Sequence, residues 1–333
     1  MVTTSGALSV VPVARAIRAI EIGYPERIQS TGRGTVFIAS PPANQLIVEV
    51  DTASGMVVRT IGGIGEGPGE YRHPGVMFMR GDSLLLQHAT DGRFSMYDAD
   101  GRHVRDFPSD VPVQAGRGLR LRGDTLLLAE PGATAETFGL PLHLLSPTGA
   151  RIRSFGAEDR TIEPGRFVPR LRALTLESDS TFWVARRDRY EIELWSTRGQ
   201  RERQLVMDRN WFPVMEQDPG DPSLERPVAQ LGGLVRDSHG HLIVVLLRST
   251  PDWRPRSAAA GEPDAVPGIV DKLGYFEVVV EVLDPKTGAL LDSTVVEGIR
   301  TTGDFLANGL LVGFVETPEG TPAFALYSLT HNQ

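Results

Sequence analysis

Residues 59–107 read RTIGGIGEGPGEYRHPGVMFMRGDSLLLQHATDGRFSMYDADGRHVRDF. A glycine-rich loop is followed by four short apolar runs with tight polar turns between them. Runs of about five or six residues bounded by Gly and Asp have the period of strands, not of helices. Weaker versions recur along the chain, and that recurrence decides the fold.

One hairpin type occurs six times. Its turns are Thr31-Gly32-Arg33-Gly34, Arg80-Gly81-Asp82, Arg122-Gly123-Asp124, Glu177-Ser178-Asp179, Asp237-Ser238-His239-Gly240 and Ala307-Asn308-Gly309. They are followed by TVFIA, SLLLQ, TLLLA, TFWVA, LIVVLL and LLVGFV, so each turn joins a strand A to a strand B. A second type follows the first five, with turns ending in Gly55, Gly101, Gly149, Gly199 and Gly288 between strands C and D. Glycine there supplies the positive φ of a short hairpin loop. The sixth unit has A, B and C (Phe324 to Leu329) and then the chain ends, while Val10 to Ile22 is a strand pattern with no partner. A closed ring explains both facts, because the N-terminal strand completes the last blade and removes the open edge.

The sequence therefore predicts an all-β chain, a single six-bladed β-propeller domain over residues 1–333 with four antiparallel strands per blade. The closing strand is 8–22, and the blades are 27–61, 75–107, 117–155, 171–206, 231–296 (with an insertion at 248–274) and 302–330. A β-sandwich explains neither the four-strand period of roughly 45 to 50 residues nor the unpartnered strand.

Composition narrows the function. The net charge of -8 disfavours nucleic acid, which needs a basic footprint. Zero cysteines exclude disulfides, thiolate metal sites and a Cys nucleophile. No window reaches the roughly 18 apolar residues of a membrane span. Met1 to Ala16 shows no signal peptide. The sequence leaves the compartment unknown: a removed leader would make it periplasmic or secreted, and otherwise a cytoplasmic location is expected. A monomer is expected.

At Gly62 to Pro74, GGIGEGPGEYRHP, the chain resembles the NHL-repeat propellers and the bacterial six-bladed β-propeller proteins. In these a G-x-G-x-G-P-G-E-[FY]-x-x-P loop joins strand D of one blade to strand A of the next. The matching residues are Gly63, Gly65, Gly67, Pro68, Gly69, Glu70, Tyr71 and Pro74, and a worn copy stands at Pro164, Gly165 and Phe167, where Arg166 replaces the acid. The resemblance implies the fold and a binding role, and it carries no catalytic residues. Read from its residues, the loop is structural. Glycines turn the backbone, Pro68 stiffens it, Glu70 accepts loop N–H groups and Tyr71 plugs the gap between blades.

Several motifs resemble chemistry. Gly81-Asp82-Ser83-Leu84 spells a hydrolase nucleophile motif, but it lies in an A–B turn, and the next blade repeats it as Gly123-Asp124-Thr125-Leu126. His239 and His241 make a metal-like pair with no third ligand near in sequence. Asp98, Asp100 and Gly101 lack the downstream glutamate of a calcium loop. Trp183 and Trp195 fit inter-blade packing. Calcium-dependent propeller enzymes need several oxygen ligands converging on the channel. The A strands offer Asp304, with Glu26 just before the first strand, while Arg120, Arg172 and Arg236 are the charges expected near the channel. No cofactor is predicted, and calcium is disfavoured.

The A–B and C–D turns share one end of a blade, and the B–C loops and D–A linkers share the other. The long excursions are B–C or D–A: Glu130 to Leu140, Asp208 to Gln230 and Arg248 to Gly274. Long loops on a rigid scaffold tend to carry function. The two largest meet at blade five and hold Trp211, Phe212, Asp218, Asp221, Arg226, Asp252, Trp253, Arg254, Arg256 and Tyr275. Aromatics beside Arg are common binding anchors. The candidate ligand-binding residues are Trp211, Phe212, Arg226, Trp253, Arg254 and Tyr275, with Arg120 and Arg172. The expected function is non-enzymatic binding of a peptide, protein or small molecule on this face. The alternative is a propeller-type hydrolase or lyase, lactonase- or esterase-like, with its site at the channel mouth.

Overall fold

Nearly every apolar run bracketed by the hairpin turns forms a strand in the computed structural model. The structure describes residues 8–13, 17–18, 27–39, 46–89, 91–111, 117–129, 136–137, 139–156, 172–215, 225–255, 274–306, 309–316 and 322–331. Glu26, the worn loop at Pro164 to Phe167, Asp218, Asp221 and Arg256 lie outside those residues.

The N-terminal segment forms β1 (Leu8–Pro12) and β2 (Ile17–Arg18). Blade one is β3 (Arg27–Ser30), β4 (Thr35–Ala39), β5 (Ile47–Asp51) and β6 (Val57–Ile61). The loop beyond it holds a short parallel pair, β7 (Gly63–Ile64) and β8 (Glu70–Tyr71). Blade two is β9 (Pro74–Arg80), β10 (Ser83–His88), β11 (Arg93–Tyr97) and β12 (His103–Pro108). Blade three is β13 (Arg117–Arg120), β14 (Leu126–Ala129), β15 (Leu142–Leu145) and β16 (Arg151–Phe155). Blade four is β17 (Arg172–Leu176), β18 (Thr181–Arg186), β19 (Glu191–Ser196) and β20 (Arg201–Val206). Blade five is β21 (Gln230–Arg236), β22 (Leu242–Ser249), β23 (Phe276–Leu283) and β24 (Leu290–Val296). Blade six holds β25 (Leu311–Glu316) and β26 (Pro322–His331).

The fold is all-β, with six four-stranded sheets in a propeller arrangement. Blades one to five are antiparallel meanders in sequence order. The sixth closes the ring, with β25 on one edge of β26 and β1 and β2 on the other. Pro12 pairs with Tyr327 and Ile17 with Phe324, so the closing strand is interrupted by two extra residues rather than continuous. Among the described residues the expected inner strand of blade six is irregular and not a continuous strand. The segment around Asp304 makes only two isolated bridges, Arg300 to Phe314 and Phe305 to Leu311.

Glycine packing explains that difference. A Cβ on Gly233 would lie 1.8 Å from the carbonyl oxygen of Gly303, and Gly303 holds φ +85° against Gly232. Blades five and six approach through bare backbone, and a twisted segment in the left-handed region cannot continue a regular ladder.

The burial pattern follows from the ring. The B strands are largely apolar on both faces and nearly fully buried, as β4, β14 and β22 show. The D strands lie outermost and are largely exposed, as in β20. The core divides into six clusters, each shared by two adjacent blades. Trp183 lies between blades four and five and Trp195 between three and four. Leu8 and Val10 join the cluster between blades five and six. Among the described residues no helix is long and apolar enough to cross a membrane.

The opening loop clasps blades one and two. Tyr71 is 0 % exposed. Its hydroxyl donates to the Ile61 carbonyl (2.6 Å) and accepts from the Ile47 amide (2.7 Å), capping the β5–β6 ladder. Burial pushes its pKa up, so the proton stays in place to donate. Glu70 Oε2 accepts the Gly67 amide (2.9 Å), and Tyr97 donates to the Gly69 carbonyl (3.0 Å).

Tyr71→Phe strips two buried backbone groups of their partner while keeping the ring. It is expected to cost about 2 kcal/mol, read in urea unfolding as a lower midpoint at unchanged slope. An unaltered midpoint removes the clasp from the account.

Candidate functional site

Among the described residues, two of the concave sites bear on function. The first lies at blade five, where the D–A linker entering it meets the ends of β22 and β23. It is a cavity of about 560 Å³ lined by Trp211, Arg226, Arg248, Ser249, Pro251 and Glu277, with further Pro and small apolar residues from the linker.

Its polar groups form a connected set. Arg248 lies over the Trp211 ring at 5.0 Å and donates to Glu277 Oε1 at 2.5 Å. Arg226 Nε donates to Ser249 Oγ (3.1 Å), and its Nη2 donates to the Thr250 carbonyl (3.1 Å). Among the described residues Arg226 Nη1 makes no hydrogen bond, so the guanidinium retains donors for a ligand.

The linker is fixed by a buried polar strap. Glu281 on β23 is 2 % exposed. It accepts from the Tyr190 hydroxyl (2.8 Å) and from Arg209 Nε and Nη2 (3.0 Å each). Desolvation and then the Glu281 charge hold the Tyr190 pKa well above its ordinary value, and the hydrogen bond to Glu281 raises that of Arg209. The strap joins blade four, the linker and blade five two residues before Trp211. Phe212 turns inward, 7 % exposed against Tyr190 at 5.5 Å.

The second site is the central channel, a cavity of about 620 Å³ lined by inner segments of all six blades. Asp304, from the segment that replaces blade six's inner strand, is the one carboxylate among the described lining residues, and Arg117 is ion-paired to it. Calcium takes about six to eight oxygen ligands, and an arginine-held single acid is a poor beginning for that set. Arg187, from the B–C loop of blade four, donates to Gln230 Oε1 (2.8 Å). Its pKa is lowered by desolvation and by the Arg117 charge, with Asp304 acting the other way.

The structure sorts the predicted residues accordingly. Trp211 and Arg226 line the blade-five cavity. Trp253 closes a turn on the Thr250 carbonyl (3.2 Å), with exposed Arg254 beside it, and Tyr275 accepts the Thr250 amide at its carbonyl (3.1 Å). These three flank the cavity without lining it, and among the described residues the buried Tyr275 hydroxyl has no hydrogen-bond partner. Phe212 is in the core. Arg172 opens β17, 5 % exposed, at the end of the inner strands nearer the linkers. Arg120 ends β13 at the opposite end, on Asp124 (3.2 Å), so these two arginines do not converge. Sequence reading missed Arg248 and Glu277, which pair across β22 and β23, and it missed Arg117 and Arg187. Register supplies the first pair, while long-range packing supplies the second.

The A–B face carries short turns laced by ion pairs between neighbouring blades. They are Arg33–Asp82 (3.1 Å), Arg80–Asp124 (2.8 Å), Arg122–Asp179 (3.5 Å) and Arg236–Glu177 (2.9 Å). Asp82 of the hydrolase-like motif serves in this lacing, and Ser83 begins β10.

No family model and no curated protein sequence matches the chain. Solved structures of like fold do. A candidate exported protein of Bacteroides fragilis superposes with TM-score 0.64 at 11% identity, covering 98% of this chain and 96% of that one. A streptogramin B lyase superposes at 0.52 and 11%, covering 98% and 100%. A virginiamycin B lyase from Staphylococcus aureus superposes at 0.50 and 10%, with the same coverage. At these identities the likeness shows a shared fold.

Glu281→Gln removes the charge that Arg209 and Tyr190 share. It is expected to cost about 3 kcal/mol, as loss of one partner in a buried pair does. Limited proteolysis should then cut the linker between residues 208 and 230 faster than in the parent. Equal cutting rates and equal unfolding midpoints would show that the strap does not fix the linker.

Proposed function

We propose that the chain is a binding propeller whose ligand seats on the face of B–C loops and D–A linkers, in the blade-five cavity. The observation that carries this reading is the convergence of Trp211 and Arg226 of the D–A linker and Arg248 at the end of β22 onto one cavity with a mainly apolar floor. Such a site suits an extended peptide or peptide-like small molecule with an apolar body and an anionic group. The Trp ring and the prolines offer stacking surface, and Arg226 offers donors. The NHL-like loop at Gly62 to Pro74 supports a binding role. An extracytoplasmic setting fits the reading, since the Bacteroides fragilis chain of like fold is described as a candidate exported protein.

A second reading puts chemistry in the channel, as in a propeller lyase or hydrolase. It is favoured by the Asp304–Arg117 ion pair in the channel, with the Arg187 guanidinium near enough to feel both charges. Two lyases share the fold. Turnover in a lactone, ester and cyclic-peptide screen that is lost in Arg187→Ala would favour this reading over binding alone.

The binding reading is tested by selecting ligands from a displayed peptide library on the intact protein. Selected peptides should lose at least tenfold in affinity on Trp211→Ala and on Arg226→Ala, about 1.4 kcal/mol or more each. Unfolding midpoints should stay near the parent value. Peptides that bind the two variants as well as the parent would move the site away from blade five.

A further inference from the structure

The His239-Gly240-His241 turn gains a third member through the fold. The A–B turn of blade five meets the end of β26, where His331 stands. Asp237, His241 and His331 each present one ligand atom, and these atoms lie within 4.8 Å of one another. His241 Nδ1 is 3.2 Å from Asp237 Oδ2. The His241 and His331 rings meet edge to face at 5.3 Å. His331 is 9 % exposed, and its Nδ1 is buried with no hydrogen-bond partner among the described residues. A buried ring nitrogen without a partner is uncommon and calls for an occupant.

Comparison around the ring strengthens this point. Arg–acid pairs join blades one to two, two to three, three to four and four to five on this face. At the junction of blades five and six, two imidazoles and a carboxylate converge instead. An acid facing two imidazoles has the donor set of a transition-metal site, whereas the other junctions have guanidiniums that cannot ligate.

We propose that Asp237, His241 and His331 form a divalent metal site of the zinc type that clips blade five to blade six. Two imidazoles and one carboxylate suit zinc better than calcium or magnesium, which prefer oxygen ligands alone. Ligands about 2.0 to 2.2 Å from the ion stand roughly 3.4 Å apart in a tetrahedron. The His241–Asp237 spacing already fits, and the His331 ligand atom lies within 4.8 Å of both. Asp237 is oriented beforehand. Its Oδ1 accepts the amides of His239 (2.9 Å) and His241 (2.8 Å), which leaves Oδ2 for the ion. His239 is outside the group that meets this spacing, its side chain about half exposed on the turn. A water completes the fourth position.

The position of His331 gives the site its consequence. His331 pairs with Leu8 in the β1–β26 ladder, and the Leu8 amide also donates to Asp292 Oδ2 of blade five (2.9 Å). The ion therefore ties blade five to the seam where the ring closes, so metal binding stabilises the whole fold.

The test uses the full untagged chain, treated with EDTA and then titrated with Zn²⁺ by calorimetry and with Co²⁺ by visible absorption. One Zn²⁺ per chain, a rise of several degrees in melting temperature and the strong absorption bands of tetrahedral Co²⁺ are expected. His241→Ala and Asp237→Asn should each weaken Zn²⁺ binding at least tenfold and abolish the rise, as should His331→Gln. His239→Ala should keep both. His241→Ala lies in a partly exposed turn, so the test stands even where His331→Gln does not fold. Absence of stoichiometric Zn²⁺ binding, binding that survives His241→Ala and Asp237→Asn, or an octahedral Co²⁺ spectrum would each overturn the proposal.

Discussion

The pairing of β1 with β26 is the constraint on which the rest of the structure depends. Each blade is buried on two faces, and each hydrophobic cluster is assembled from two blades. No blade can bury its apolar surface alone, so the blades are stable only as a ring. The ring is one strand short at its C-terminal end, and the N-terminus supplies that strand. Leu8 and Val10 place the pairing inside the core rather than on its surface, each contributing about 2 kcal/mol of burial.

Closure also divides the labour between the two faces. On the A–B face, minimal turns are laced blade to blade by ion pairs. Two of the four are too exposed to stabilise much singly, but together the pairs leave little room for elaboration. On the other face the chain leaves the blades in long excursions, and the strap of Tyr190, Arg209 and Glu281 gives one of them a fixed base. A rigid base beneath a loop positions a binding side chain at low entropic cost. Trp211 stands two residues beyond Arg209 for this reason. The channel has a different character. Among its described lining residues it holds one carboxylate, Asp304, ion-paired to Arg117.

Local pattern made most of this architecture legible. The B and C strands are continuous apolar runs between turns that only certain residues allow, and the unpaired N-terminal pattern announced the closure. The features that escaped depend on partners distant in sequence. The inner edge of blade six has strand-like residues, yet Gly303 packs against Gly232 and Gly233 and the ladder dissolves into two bridges. The closing strand carries two extra residues that no propensity marks. Phe212 has the look of a ligand anchor and is a core residue, because its neighbour Trp211 takes the outward position. His241 met His331, and Arg117 met Asp304, only once the ring brought separate blades together.

The central claim is that the N-terminal strand holds the whole ring rather than one blade. Thermal and urea unfolding of a chain lacking residues 1–18, with its oligomeric state measured alongside, tests this most directly. The account predicts a single transition at a much lower midpoint, read equally by Trp183 between blades four and five and by probes in blade one, and self-association through the exposed edge of β26. A soluble monomer with the parent midpoint would contradict it, as would the loss of blade six alone while the other blades melt where they did before.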